Sequence, residues 1–275
     1  MEVPQSNPGP RELAIETVGL TLTFGTFVAV DRITLQVPYR EIFGLLGANG
    51  AGKTCTIKML TTLLKPTAGS ALVAGFDIVK SSAQVRGRIG YVPQMLSADG
   101  ALTGHENLSL SARLYGLPRE KSASRIDEAL GFMGLRDAAD RLVKTYSGGM
   151  VRRLELAQAM LHRPAVLFLD EPTIGLDPVA RRAVWERLLH LKQEYGMTIL
   201  ITTHDMEEAD YLCDEIAILH FGKVAVSGSP GVLRSSIGKG ATLDDVFVHY
   251  AGGAIEETGS FRDIGQTRKT AQRLG

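Results

Sequence analysis

The stretch Gly47-Ala-Asn49-Gly50-Ala51-Gly52-Lys53-Thr54 decides the fold of this chain. It stands between a short apolar run, residues 41–46, and a segment from Lys53 to Leu64 in which Ile57, Leu60 and Leu64 recur at helical spacing. That segment stops at the turn sequence Lys65-Pro66-Thr67-Ala68-Gly69. A strand entering a glycine cluster that opens a helix lets backbone N–H groups wrap a chain of phosphates, and the helix N-terminus adds a favourable dipole. Lys53 can then reach the outer phosphates, and the Thr54 hydroxyl can ligate magnesium. The expectation is a nucleotide-binding α/β protein.

Outward from the octet, residues 28–37 alternate as a strand, and residues 70–74 and 89–92 read as further strands. Between residues 104 and 141 the pattern changes to helices, with Leu108, Leu110 and Leu114 followed by Ile126, Leu130 and Met133, so a helical insertion is expected. Strand and helix alternate again over residues 165–169, 179–195, 198–202, 206–212 and 216–219. Such alternation implies a mainly parallel sheet covered by helices.

Two more segments carry chemistry. Ala165-Val-Leu-Phe-Leu-Asp170-Glu171 is an apolar strand ending in two acids, which places Asp170 beside the phosphate loop to support magnesium and Glu171 to polarise a water. Tyr146-Ser147-Gly148-Gly149-Met150 precedes a helix, with Ser147 suited to cap it and two glycines leaving its amides bare. One nucleotide cannot easily use two separate helix N-termini of one chain, whereas two chains packed head to tail can each lend one to the other. The pattern predicts a dimer.

With these motifs in this order, residues 13–250 resemble the ATP-binding subunits of ABC transporters. The resemblance implies a P-loop NTPase, RecA-like, with a mainly parallel sheet, helices on both faces, an N-terminal antiparallel β part and an inserted helical subdomain at about residues 95–160. By position, Gly47 to Thr54 matches the Walker A loop, with Cys55 next to it, and Gln94 in Tyr91-Val-Pro-Gln94 matches the Q-loop. Ser147, Gly148 and Gly149 match the signature, Asp170 the Walker B aspartate and Glu171 the catalytic glutamate. Asp177 in Gly175-Leu-Asp177 matches the D-loop, His204 in Thr202-Thr-His-Asp the switch histidine, and Phe24 the aromatic that stacks on adenine. ATP with Mg2+ is the implied cofactor pair, with Thr54, Gln94 and Asp170 toward the metal. The implied partners are a second copy of the chain and transmembrane permease subunits, which the motor meets around residues 95–117. The implied location is peripheral, on the cytoplasmic face of the cell membrane, with membrane contact only through the partner.

Within the family, Tyr146-Ser-Gly-Gly-Met150, Thr173-Ile-Gly-Leu-Asp-Pro178 and Thr242-Leu-Asp-Asp-Val-Phe247 resemble the daunorubicin-resistance type of exporter, whose relatives serve drugs, lipids or polysaccharides. Four departures stand out. Cys55 replaces a hydroxyl residue and suggests sensitivity to thiol reagents, Tyr39-Arg40 interrupts the usual Pro-Gly-Glu turn, Tyr146 and Met150 replace the commoner Leu and Gln, and Phe24 replaces Tyr.

Composition agrees with a motor that works on a separate partner. The 275 residues carry 30 basic and 30 acidic side chains, so no basic surface points to nucleic acid. Two cysteines are too few for a disulfide framework and suit a reducing compartment. No run approaches the roughly 20 apolar residues that cross a bilayer. Residues 1–10 read as a flexible lead-in without an export signal, residues 11–250 as the ATPase domain, and residues 251–275 as a polar tail. Trp185 reads as packing, and Arg152-Arg153 and Arg181-Arg182 as solvated helix faces. Two rival functions are a soluble ABC-type ATPase acting on nucleic acid or ribosomes, and a phosphotransferase. The first brings coiled coils, duplicated cassettes or basic surfaces, none visible here, and the second does not explain Ser147 to Met150 or His204.

Overall fold

The computed structural model describes residues 12–252; the expected lead-in, and the expected tail from residue 253, lie outside the described residues. Two sheets organise the chain. The first is antiparallel, in the order β2-β1-β4-β5, from β1 (Leu13–Phe24), β2 (Phe27–Pro38), β4 (Ala68–Val73) and β5 (Phe76–Asp77). The second runs β10-β9-β3-β8-β7-β6, from β3 (Ile42–Gly47), β6 (Ile89–Val92), β7 (Val166–Asp170), β8 (Thr198–Thr203), β9 (Glu215–His220) and β10 (Lys223–Gly228). Only β10 is antiparallel to its neighbour.

Strands β3, β7 and β8 are buried on both faces, which is why they read as largely apolar runs. Side chains alternate across it. Ile42, Leu46, Leu167, Leu169, Ile199 and Ile201 face one core with α6 (Pro178–Tyr195) and α7 (Met206–Leu212). Phe43, Leu45, Val166, Phe168 and Leu200 face another with α1 (Lys53–Leu60) and the antiparallel sheet. Trp185 lies in the first core with Val184, Leu188 and Leu191, as expected.

Between β6 and β7 the chain is helical. After the short α2 (Ser82–Arg86) and β6 come α3 (Gly104–Leu114), α4 (Arg119–Phe132) and α5 (Gly148–Met160). They share Leu108, Ala112, Ile126, Leu130, Met133, Leu154 and Ala157 in a buried cluster continuous with the sheet. A Thr103–Glu106 capping box starts α3.

Several boundaries differ from the sequence reading. The helix after the octet ends at Leu60 instead of Leu64, because Thr62 turns to φ 65° and the amides of Leu63 and Leu64 both return to the Lys58 carbonyl. β1, β10, α8 (Pro230–Ile237) and α9 (Leu243–Phe247) were not individually foreseen. A π-helical turn, Val248–Gly252, follows α9 and buries Ala251.

Candidate functional site

The octet falls at the carboxyl end of β3, at the N-terminus of α1. Gly52 sits at φ 104°, and a Cβ there would meet the Ala29 carbonyl oxygen at 2.7 Å, so only glycine fits. No side chain caps α1, so its first amides are left to a ligand. Asn49 and Gly50 are exposed at the loop tip, and Gly47 and Ala51 are buried beneath it. Lys53 is buried and donates to the Gly47 carbonyl at 2.7 Å and the Ala48 carbonyl at 3.3 Å, which folds its ammonium back over the loop.

β7 lies two strands away across β8, and parallel pairing aligns the three carboxyl ends. Asp170, buried at the tip of β7, has Oδ1 3.2 Å from Thr54 Oγ1 and 2.6 Å from Thr202 Oγ1. Glu171 follows at φ 51°, in the left-handed region that a non-glycine residue rarely adopts. Its N–H is held by the Thr202 carbonyl at 3.1 Å and the Thr202 hydroxyl at 3.0 Å.

The Glu171 carboxylate is held on both oxygens. Oε1 is 3.1 Å from Lys53 Nζ, and Oε2 is 2.6 Å from His204 Nδ1. A carboxylate only accepts, so Nδ1 carries the proton of this hydrogen bond, on a half-exposed ring. The fold thus gathers Lys53, Thr54, Asp170, Glu171 and His204 from three adjacent strand ends. Tyr91 borders this group on β6, its phenol pushed up to about 12 by burial and, secondarily, by the Asp170 charge.

The remaining predicted residues lie apart from that cluster. Phe24 is half exposed at the end of β1. Gln94 is exposed just beyond β6. Ser147 caps α5 by accepting from the Met150 amide at 3.3 Å. A Cβ on Gly149 would stand 2.7 Å from Ala180 Cβ, so this helix start is packed on the start of α6. Asp177 caps α6, accepting from Val179 and Ala180. Among the described residues no hydrogen bond or ion pair joins Ser147, Gly148 or Gly149 to the octet.

Three expectations need correction or refinement. Arg152 is not on a solvated face: it is 2% exposed and ion-paired at 3.0 Å to Glu155. Arg181 is partly buried against Asp205, the cap of α7, at 2.5 Å. Cys55 is half buried, and burial pushes its thiol up, away from the reactive thiolate. The role of Thr202 was missed, although its motif was read; a hydroxyl one strand from two acids was the signal. Glu208 was missed as well. It is buried, accepts from Thr173 at 2.7 Å and Trp185 Nε1 at 2.9 Å, and ties the segment after Glu171 to the helix after His204.

Known proteins resemble this chain in sequence and in fold. The ABC transporter family profile matches residues 30–174. The daunorubicin/doxorubicin resistance ATP-binding protein DrrA of Streptomyces peucetius is 46% identical over 82% of this chain and 68% of its own length. The probable multidrug ABC transporter ATP-binding protein YbhF of Escherichia coli is 42% identical over 82% of this chain, which spans 39% of that protein. Among solved structures, an ATP-binding subunit of an ABC transporter superposes with a TM-score of 0.77 at 31% identity, over 87% of this chain and 99% of that one. The cbiO1 protein of Clostridium perfringens, part of the ABC transporter complex cbiONQ, gives 0.75 at 27% identity, over 82% and 92%. Identity of this extent, on a fold that brings the phosphate loop and the paired acids to one edge, shows that the chain belongs to the ABC transporter family as one of its ATP-binding, ATP-hydrolysing subunits.

Proposed function

We propose that this subunit hydrolyses ATP with Glu171 as the general base, in a head-to-tail dimer that drives a transmembrane exporter. The observation that carries the reading is the Glu171 carboxylate, placed at the carboxyl end of β7 and held between Lys53 and His204. A base aimed by two neighbours loses little freedom when the reaction begins. Phe24 offers an exposed ring for adenine, the bare amides of α1 with Lys53 suit the phosphates, and His204 orients the Glu171 carboxylate through its Nδ1.

The donor set fits magnesium. Thr54 Oγ1 and Asp170 Oδ1 converge to 3.2 Å. Among the described residues no cluster of three or more His, Cys, Asp or Glu side chains forms a closed cage, which suits an ion that keeps waters and shares phosphate oxygens. Bound there, Mg2+ would neutralise charge building on the phosphates. Thr54, Asp170 and Gln94 would orient it, while Thr202 fixes the carboxylate of Asp170.

Support for the dimer comes from the second helix N-terminus. Ser147, Gly148 and Gly149 present amides that a second copy can place on the first copy's nucleotide, with Asp177 beside them at the start of α6. The apolar side chains of Met95, Leu96, Leu110 and Leu114 are exposed, and their chain neighbours Ser97, Ser111 and Tyr115 line a cleft with Tyr91, Pro93 and Glu155, a surface suited to the permease. Among the described residues no helix is long and apolar enough to cross a membrane. A peripheral place on the cytoplasmic face follows from that partnership. Relatives named for drug resistance favour a drug-like cargo, and action on nucleic acid or ribosomes is not favoured.

The test compares the parent with Glu171→Gln for phosphate release and ATP-dependent dimerisation. Loss of hydrolysis with an ATP-trapped dimer supports the reading; parental hydrolysis in a monomer overturns it.

A further inference from the structure

Helix α5 carries Ser147, Gly148 and Gly149 at its N-terminus and, one to two turns later, the buried pair Arg152 and Glu155. Their side chains are each 2% exposed, and their mutual contact uses one nitrogen and one oxygen. Their remaining hydrogen bonds go to a single neighbouring segment. Arg152 Nη1 donates to the Pro93 carbonyl at 2.8 Å, and Nη2 to the Gln94 carbonyl at 2.9 Å. Glu155 Oε1 accepts from the Ser97 amide and, at 3.1 Å, from the Ser97 hydroxyl.

A buried ion pair is an expensive way to stabilise a helix, because desolvation offsets much of the attraction. An apolar pair would pack as well. What an apolar pair cannot do is bind four backbone and hydroxyl groups of an otherwise exposed loop. The planar guanidinium fork serves two successive carbonyls while its charge is balanced one turn along the same helix. Residues 93–97 are thereby tied to α5 at both ends, while the Gln94 side chain stays exposed.

We infer that Arg152 and Glu155 are positioning residues that make the Gln94 loop and α5 one rigid body, so that displacement of Gln94 by nucleotide carries Ser147, Gly148 and Gly149 with it. The inference rests on the roles proposed above for Gln94 and Ser147. It adds the mechanical link between them, made by two buried side chains of α5.

The test is amide hydrogen exchange on the full chain, diluted until it is monomeric, with and without ATP. In the parent, ATP is expected to slow exchange in the octet and also at residues 93–97 and 147–151, which in a monomer no second copy can reach. Arg152→Lys keeps the charge but loses the fork. Arg152→Met with Glu155→Gln replaces the pair by uncharged side chains of similar size and leaves no buried charge unpaired. In both variants ATP affinity and protection of the octet should match the parent, while the response at 147–151 falls about tenfold. Retention of that response in either folded variant, or its absence in the parent, overturns the inference. Failure of both variants to fold also overturns it, since the pair would then serve folding. ATP-dependent dimerisation of Glu171→Gln, measured alongside, separates the two readings. A dimer without the monomer response removes this inference alone, and a response without a dimer removes only the dimer.

Discussion

The Thr202 hydroxyl on β8 donates to Asp170 Oδ1 at 2.6 Å and accepts the Glu171 N–H at 3.0 Å, so one side chain orients both acids at the end of β7. The same backbone amide also meets the Thr202 carbonyl, and this pairing holds Glu171 in its left-handed conformation. Thr202→Val keeps the shape and removes the hydroxyl. It should lower stability by about 1–3 kcal/mol, from a buried carboxylate and amide left short of partners, and reduce hydrolysis by roughly tenfold or more. Thr202→Ser should recover most of the activity, with denaturation and phosphate-release assays reading the two effects separately.

Gly149 faces Ala180 too closely for a Cβ. Gly149→Ala should therefore shift the start of α5 against α6, weaken ATP-dependent dimerisation and slow turnover, while ATP still binds at the octet. Equilibrium binding of a fluorescent ATP analogue alongside sedimentation would separate these. Parental dimerisation in a folded Gly149→Ala chain would remove the proposed role of this helix start.

Phe24 is half exposed, so its replacement costs little folding energy. If its ring stacks on adenine, Phe24→Ala should weaken ATP binding by about 1 kcal/mol, roughly five- to tenfold, and Phe24→Trp should preserve it. Calorimetric titration with ATP and with inorganic triphosphate discriminates, because only ATP should feel the change.

Glu208 is buried, and desolvation raises its pKa above the ordinary glutamate value, against hydrogen bonds that lower it. A carboxyl group whose folded pKa exceeds its unfolded one contributes stability that is present below the unfolded pKa and lost as pH rises through the folded pKa. Glu208→Gln can still accept from Thr173 and Trp185 and carries no charge. The melting temperature of Glu208→Gln relative to the parent should therefore rise as pH climbs from the ordinary glutamate value through the raised folded one. A difference independent of pH would show that Glu208 titrates alike in both states.

How much of this was legible in the sequence depends on how local each feature is. The octet, the acid-ended strand and the Ser-Gly-Gly helix start are each written within eight residues or fewer, and their chemistry follows from the residues themselves. Helix ends were less legible. Nothing in residues 61–64 announces that Thr62 will turn to positive φ and close α1 early. Arg152 shows the limit most clearly. A pair of adjacent arginines on a helix reads as a solvated face, yet Arg152 points inward, because the loop after β6 supplies carbonyls there and Glu155 supplies the countercharge.

The sequence by itself determined the class of fold, the phosphate loop and the identity of the groups available for catalysis, since these depend on residue type, short spacing and the alternation of strand with helix. Only the tertiary structure decided which of those groups meet. Lys53, Asp170, Glu171, Thr202 and His204 converge because β3, β8 and β7 lie side by side in parallel register, and long-range strand order is not encoded in any short stretch. It likewise decided that Arg152 and Glu155 are buried and tied to Pro93, Gln94 and Ser97, because burial belongs to the packed surface that two segments distant in sequence form together.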